Sequence, residues 1–181
     1  MNGEDGVVRR VSTREVYRNP WLTLREDEIR RPDGSAGIYS VVDKPDFALV
    51  IPAEPDGFHL VEQYRYPVGG RYWEFPQGTA AGGATMEPAA LARAELAEET
   101  GFRAGTLRHL GHLDLAPGLT TQEFDVWLAT DLTAGSTDRE ATEADMTCTF
   151  LPEEDLRARI RDGRFPDGPS VAGYGLLLLG R

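Results

Sequence analysis

Glu95-Leu96-Ala97-Glu98-Glu99-Thr100-Gly101 sets three carboxylates at spacings of three, four and one, then stops on a glycine. On an α-helix, residues three and four apart are neighbours on one face, roughly 5–6 Å between Cβ atoms. Glu95, Glu98 and Glu99 are therefore expected to project together. Three anions that close repel one another unless a cation sits among them. A hard divalent ion bound through carboxylate oxygen is the simplest resolution. The competing reading is an acidic helix face that is merely solvated. Gly101 suits the end of the helix, because glycine enters the left-handed region without steric cost.

Working outward, Gly78–Thr85 is small and glycine-bearing and reads as a loop. A helix is expected from about Glu87 to Thr100, with Pro88 in its first turn and Ala89, Ala92 and Leu96 as a narrow apolar stripe. Upstream, Phe47–Pro52 reads as a buried strand, Glu54-Pro55-Asp56-Gly57 as a turn and Phe58–Arg65 as the returning strand. Tyr72–Phe75 is a short extended piece. Downstream, Thr106–Leu115, Glu123–Thr130 and Met146–Leu151 read as strands and Thr133–Glu143 as a polar loop. Pro152–Arg161 and about Ser170–Leu179 read as helices. Near the N-terminus, Val11–Ile29 reads as a strand, Arg31–Ser35 as a turn and Ile38–Val42 as the return strand. The division expected is a loose tail at 1–10, a small antiparallel β unit at 11–44 and a main domain at 45–181. The fold class is α/β (α+β), a mixed sheet with helices on both sides.

The chain has 181 residues, 40% hydrophobic and 27% charged, which suits one globular domain with a real core. No apolar run is long enough to span a membrane, and Met1–Arg10 lacks the apolar core of a signal peptide. Cys148 is the only cysteine, so no intrachain disulfide can form and a cytoplasmic location is expected. A net charge of −11 argues against a general nucleic-acid or membrane-surface binder, since both use basic patches. A phosphorylated small substrate stays open, because it needs only local arginine and metal charge.

The segment Gly78–Phe102 resembles the Nudix box, whose second half falls on Ala94–Phe102. Glu74-Phe75-Pro76-Gln77-Gly78 is similar to the Glu-x-Pro-x-Gly lead-in of the ADP-ribose and nucleoside-diphosphate-sugar pyrophosphatase branch. Gln63-Tyr64-Arg65 and Ala116-Pro117-Gly118-Leu119-Thr120-Thr121-Gln122 resemble further stretches of that branch. Trp21…Pro32-Asp33-Gly34 resembles its N-terminal β unit. Three departures stand out. The loop after Gly78 is two residues longer than the pattern, Met86 takes the place of a glutamate, and Ala94 takes that of the box arginine, with Arg93 beside it.

The resemblance implies a Nudix-type α/β/α sandwich and a homodimer that exchanges the N-terminal β unit. It implies hydrolysis of the pyrophosphate of ADP-ribose or a related nucleoside diphosphate sugar, with Mg²⁺ as cofactor and Mn²⁺ as its substitute. Glu95, Glu98, Glu99 and the backbone carbonyl of Gln77 fall on metal-site positions. Arg65 is the candidate phosphate clamp, since a guanidinium matches phosphate oxygens in a bidentate way; its other reading is a surface ion pair. Glu74 pins Arg65, meets a ribose hydroxyl, or simply ends its strand. Gly118, Leu119 and Gln122 are candidate substrate contacts, with Gln122 standing where the branch usually has glutamate. The general base is expected on the loop before Met146, at Glu143 or Glu140. Trp21, Tyr64, Tyr66 and Trp73 are base-stacking or core aromatics. The alternatives are another nucleoside diphosphate derivative as substrate (a dinucleoside polyphosphate, a cofactor or an oxidised nucleotide), or a nucleotide-sensing domain without catalysis.

Overall fold

The strand Phe47–Glu54 (β4) is the axis of the molecule. In the computed structural model, which describes residues 7–80, 84, 86–137 and 145–180, six of its eight residues are buried. Its side chains alternate between two cores, as the two-residue period of a strand requires. Phe47, Leu49 and Ile51 join Phe58, Leu60, Phe75, Phe124, Val126, Tyr174 and Leu177 on one face. Ala48 and Val50 join Leu91, Ala92, Leu96 and Ala129 on the other. Each fully buried Leu, Ile or Phe of this kind contributes roughly 1.5–3 kcal/mol.

Helix α1 (Pro88–Glu95) covers the second face, while α2 (Glu153–Arg161) and α3 (Gly168–Leu179) pack on the first. The approach of α3 is close at Gly173, where a Cβ would stand 3.1 Å from Leu49 Cδ2 and 3.2 Å from Val126 Cγ1. The remaining strands of the main sheet are β5 (Gly57–Arg65), β6 (Gly70–Glu74), β7 (Gln77–Gly78), β8 (Phe102–Asp114), β9 (Glu123–Ala134) and β10 (Thr147–Pro152). Their order is β10-β5-β4-β9-β8, with β6 added to β5 and β7 to β4. Among the described residues only β4 and β9 of this sheet run parallel, so the sheet is mixed and has helices on both sides, as its sequence predicts.

The hairpin β4–β5 is paired only near its turn, Ala53 to Phe58 and Glu54 to Gly57. Beyond that, β4 pairs with β7 and β5 with β6. The hairpin therefore splits, and the segment 70–78 fills the split with its polar side chains.

A separate three-stranded antiparallel sheet precedes it, made of β1 (Arg9–Asn19), β2 (Leu22–Arg30) and β3 (Ala36–Asp43). The single strand expected over Val11–Ile29 is two strands, because Asn19 caps a turn by accepting from the N–H groups of Trp21 and Leu22. Arg9 and Arg10 belong to β1. Val11, Val16, Trp21 and Ile38 of this unit are exposed. Among the described residues no helix is long and apolar enough to cross a membrane.

His59 on β5 lies against Phe102, ring centroids 4.2 Å apart, with Phe150 on another side. Burial pushes its imidazole below the ordinary 6.5, and Glu54 only partly opposes this. The native state then binds fewer protons than the unfolded chain once pH falls through 6.5, so stability is lost on acidification toward the depressed native value. Replacing His59 by Phe is expected to flatten the fall of melting temperature below pH 6.5, measured by thermal scans of both proteins across that range. Parallel curves would rule this cause out.

Candidate active site

The acidic run does not continue one α-helix. Helix α1 ends at Glu95, and Leu96–Thr100 forms a π-helical turn, a geometry that recurs at functional sites. Thr100 closes it by donating its hydroxyl to the Leu96 carbonyl at 2.5 Å. Gly101 follows at φ +78°, and a Cβ there would come 3.0 Å from the Gly135 carbonyl oxygen. Because the backbone widens inside the run, the three carboxylates are not equivalent. Glu95 and Glu99 are buried, at 7% and 1% exposure, while Glu98 is half-buried.

The two buried carboxylates meet neighbouring residues of β7. The N–H of Gln77 donates to Glu99 Oε2 at 3.2 Å. Gly78 lies directly beneath Glu95, where a Cβ would stand 2.8 Å from the carboxyl carbon and closer still to Oε2. Glycine is needed at 78 because any side chain would occupy the space of the Glu95 carboxylate.

Gln77 links this pair to a second polar group. Its amide Nε2 donates to Glu74 Oε2 at 3.4 Å and to Asp167 Oδ2 at 3.1 Å. Glu74, 1% exposed, also accepts from Arg65, 3.1 Å from Nε and 2.5 Å from Nη2, and from the Gln63 amide. Burial pushes the Glu74 carboxyl up, and the Arg65 guanidinium pulls it back. Glu74 therefore pins Arg65. With its side chain 40% exposed, Arg65 keeps an edge open to a ligand.

Arg65, Glu74, Gln77, Glu95 and Glu99 thus form one connected group across the split hairpin. The other expected contacts lie elsewhere. Gly118 accepts from the Tyr39 hydroxyl at 3.0 Å, and the Leu119 carbonyl from the Val42 N–H at 2.9 Å, so their loop docks on β3. Gln122 is 4% exposed and donates its amide to the Pro45 carbonyl at 2.6 Å, a bond that ties this loop to the entry of β4. Arg93 donates to the Ala104 carbonyl on β8 at 2.9 Å. Glu140 and Glu143 lie outside the described residues. The first described residue after them, Asp145, is held by Arg71 of β6, whose Nη1 is 2.5 Å from Oδ2. Asp167, at the start of α3, is a site neighbour that sequence reasoning missed.

Among the described residues no three carboxylate, imidazole or thiolate groups are gathered tightly enough to hold a metal ion by themselves. The donor set nonetheless fits a hard cation. Glu95 and Glu99, from the end of α1 and the π-helical turn, are oxygen donors packed against the adjacent β7 residues Gln77 and Gly78, and Gly78 leaves room for one of them. Glu98 and the Gln77 carbonyl are the further oxygens within the same two segments.

Residues 8–42 match the family described as nucleoside diphosphate sugar hydrolase N-terminal domain, and residues 43–171 match the NUDIX domain. An ADP-ribose pyrophosphatase of Mycobacterium tuberculosis is 32% identical over 166 residues, covering 90% of this chain and 79% of that protein. A CMP-5'-(N-acetyl-N-hydroxy-3-aminopropyl)phosphonate hydrolase of Streptomyces rubellomurinus is 28% identical, covering 92% and 80%. The crystal structure of an ADP compounds hydrolase superposes with a TM-score of 0.81 at 21% identity, covering 94% of this chain and 91% of that one. At that identity the likeness speaks for the fold.

Gly78→Ala is expected to displace the Glu95 carboxylate while leaving the fold intact, since the clash is with the end of a flexible side chain. Hydrolytic activity should fall at least about tenfold with little change in melting temperature. Steady-state kinetics and a thermal scan of the variant check both halves.

Proposed function

The chain belongs to the Nudix family, and we propose that it hydrolyses the pyrophosphate bond of ADP-ribose or a closely related nucleoside diphosphate sugar, releasing AMP (or the matching nucleoside monophosphate) and a sugar phosphate. It is a Nudix pyrophosphohydrolase. The observation that carries the substrate reading is the hydrogen-bonded run Arg65–Glu74–Gln77–Glu99. It places a fixed guanidinium on the same support as two buried carboxylates. A pyrophosphate needs both, direct cationic contact for some oxygens and a carboxylate-held cation for the others. The resemblance to pyrophosphatases of ADP-ribose supplies the rest.

Glu95, Glu99 and Glu98, with the Gln77 carbonyl, would hold Mg²⁺, and Mn²⁺ would serve in its place. A bound divalent cation supplies charge to the pyrophosphate oxygens and acidity to the attacking water. Arg65 takes phosphate oxygens with its open edge while Glu74 fixes the plane of its guanidinium. Glu143, or in its place Glu140, takes the proton as water attacks phosphorus. The bridging P–O bond then breaks, and the sugar phosphate or the nucleotide leaves with the electron pair. A second copy of this chain would cover the exposed Val11, Val16 and Ile38 of the N-terminal sheet, giving a homodimer.

A second reading has its own support. The phosphonate hydrolase relative acts, by its name, on a CMP derivative, so both base and leaving group vary at this level of similarity. A panel of nucleoside diphosphate derivatives separates the two readings by kcat/KM.

With ADP-ribose and Mg²⁺, the wild-type protein should release AMP, measured by chromatography. Glu99→Gln should lower kcat at least about 100-fold. Arg65→Ala should raise KM about tenfold, the loss of one charge-assisted contact. Full activity in Glu99→Gln would contradict the metal assignment.

A further inference from the structure

The segment Glu74–Gln77 carries the site, yet only part of it is held by the sheet. Its backbone groups are satisfied from three directions. The Phe75 N–H donates to Ser170 Oγ at 2.8 Å, the Pro76 carbonyl accepts from the Val50 N–H at 2.9 Å, and the Gln77 N–H donates to Glu99 Oε2. Helix α3 thus reaches this segment at residue 75 through Ser170, which is 0% exposed. It reaches residue 77 as well, through Asp167.

Asp167 is the N-cap of α3. Its Oδ2 accepts the Ser170 N–H at 2.9 Å and, from 90 residues away in sequence, the Gln77 amide at 3.1 Å. The cap and the positive end of the helix dipole fix this carboxylate. The two N–H groups of the Gln77 amide then find an acceptor each, one on Asp167 and one on Glu74. Since both neighbours are carboxylates, the amide can present only its nitrogen to them, and its orientation is set.

From this we propose that Asp167, at the start of the C-terminal helix, is a positioning residue of the active site. It orients Gln77 and thereby holds the Gln77 main chain against Glu99, with Ser170 gripping the same segment two residues upstream. The catalytic consequence rests on the role given above to the Glu95–Glu99 pair; the mechanical claim stands on its own.

Asp167→Ser separates capping from positioning. Serine caps a helix as well as aspartate does, but its shorter side chain cannot reach Gln77. Asp167→Asn keeps an oxygen for both partners. The measurement is hydrogen exchange of the Gln77 backbone N–H in metal-free protein, alongside kcat and KM. Asp167→Ser should melt within about 3 °C of wild type. Its Gln77 N–H should exchange about tenfold faster, and kcat should fall about tenfold with KM little changed, the fold-change of one hydrogen bond to a charged group. Asp167→Asn should restore both. Gln77 protection equal to wild type in Asp167→Ser would overturn the proposal. If that variant does not fold, Gln77→Met, which leaves the cap in place, must show the same faster exchange, and unchanged protection there overturns it equally. A wild-type protein that hydrolyses no nucleoside diphosphate would defeat the functional reading, while the exchange rates would still decide the clamp.

Discussion

The docking of two buried carboxylates on two consecutive residues of β7 is the constraint around which the molecule is arranged. The Gln77 N–H binds Glu99, and Gly78 makes room for Glu95. Burying two anions side by side is costly unless their environment is built for it. Here the environment comes from a strand only two residues long, which exists because β4 leaves its hairpin partner and accepts a new one. The split of the β4–β5 hairpin is therefore the structural origin of the site. A fully paired hairpin would leave no place for Glu74, Gln77 or the side chains that meet them.

The same split explains why positive and negative groups coexist there. Arg65 ends β5, and Glu74 ends β6, which pairs with it. The buried Glu74 carboxylate fixes the guanidinium plane, so in its proposed phosphate-binding role the arginine would have less side-chain freedom left to lose. Support on the far side comes from α3, whose first turn faces the segment 75–77. The N-terminal sheet makes a different contribution. It holds the loop carrying Gly118 and Leu119 through β3, and so attaches that loop to a unit outside the main sheet.

Much of this was legible in the sequence where local spacing carries the information. The all-apolar run of β4, the turn at Asp56-Gly57, the acidic run and the glycine stop each rest on residues close together in the chain. The fold class followed from their order. What the sequence concealed depends on contacts between distant segments. The change from α- to π-helix inside Glu95–Thr100 has no composition signature, and it turns an expected trio on one face into a buried pair with Glu98 beside it. Glu74 reads equally as a strand end or a partner until Arg65 is seen beside it. Gln122 suits a substrate loop by position, and its amide nitrogen bonds to the Pro45 carbonyl, which lies 77 residues away in sequence. Asp167 with Ser170 three residues on has the form of a helix cap, and that much could have been read. Its bond to Gln77 spans 90 residues and could not.

We propose the Glu95–Glu99 pair, packed against β7, as a cation site. The most direct measurement is electron paramagnetic resonance of Mn²⁺ titrated into the protein with a non-hydrolysable ADP-ribose analogue present, comparing wild type with the Glu95→Gln, Glu99→Gln double variant. Loss of free Mn²⁺ signal in wild type, and its persistence in the double variant, is the result expected. Equal uptake of Mn²⁺ by both proteins would contradict the account.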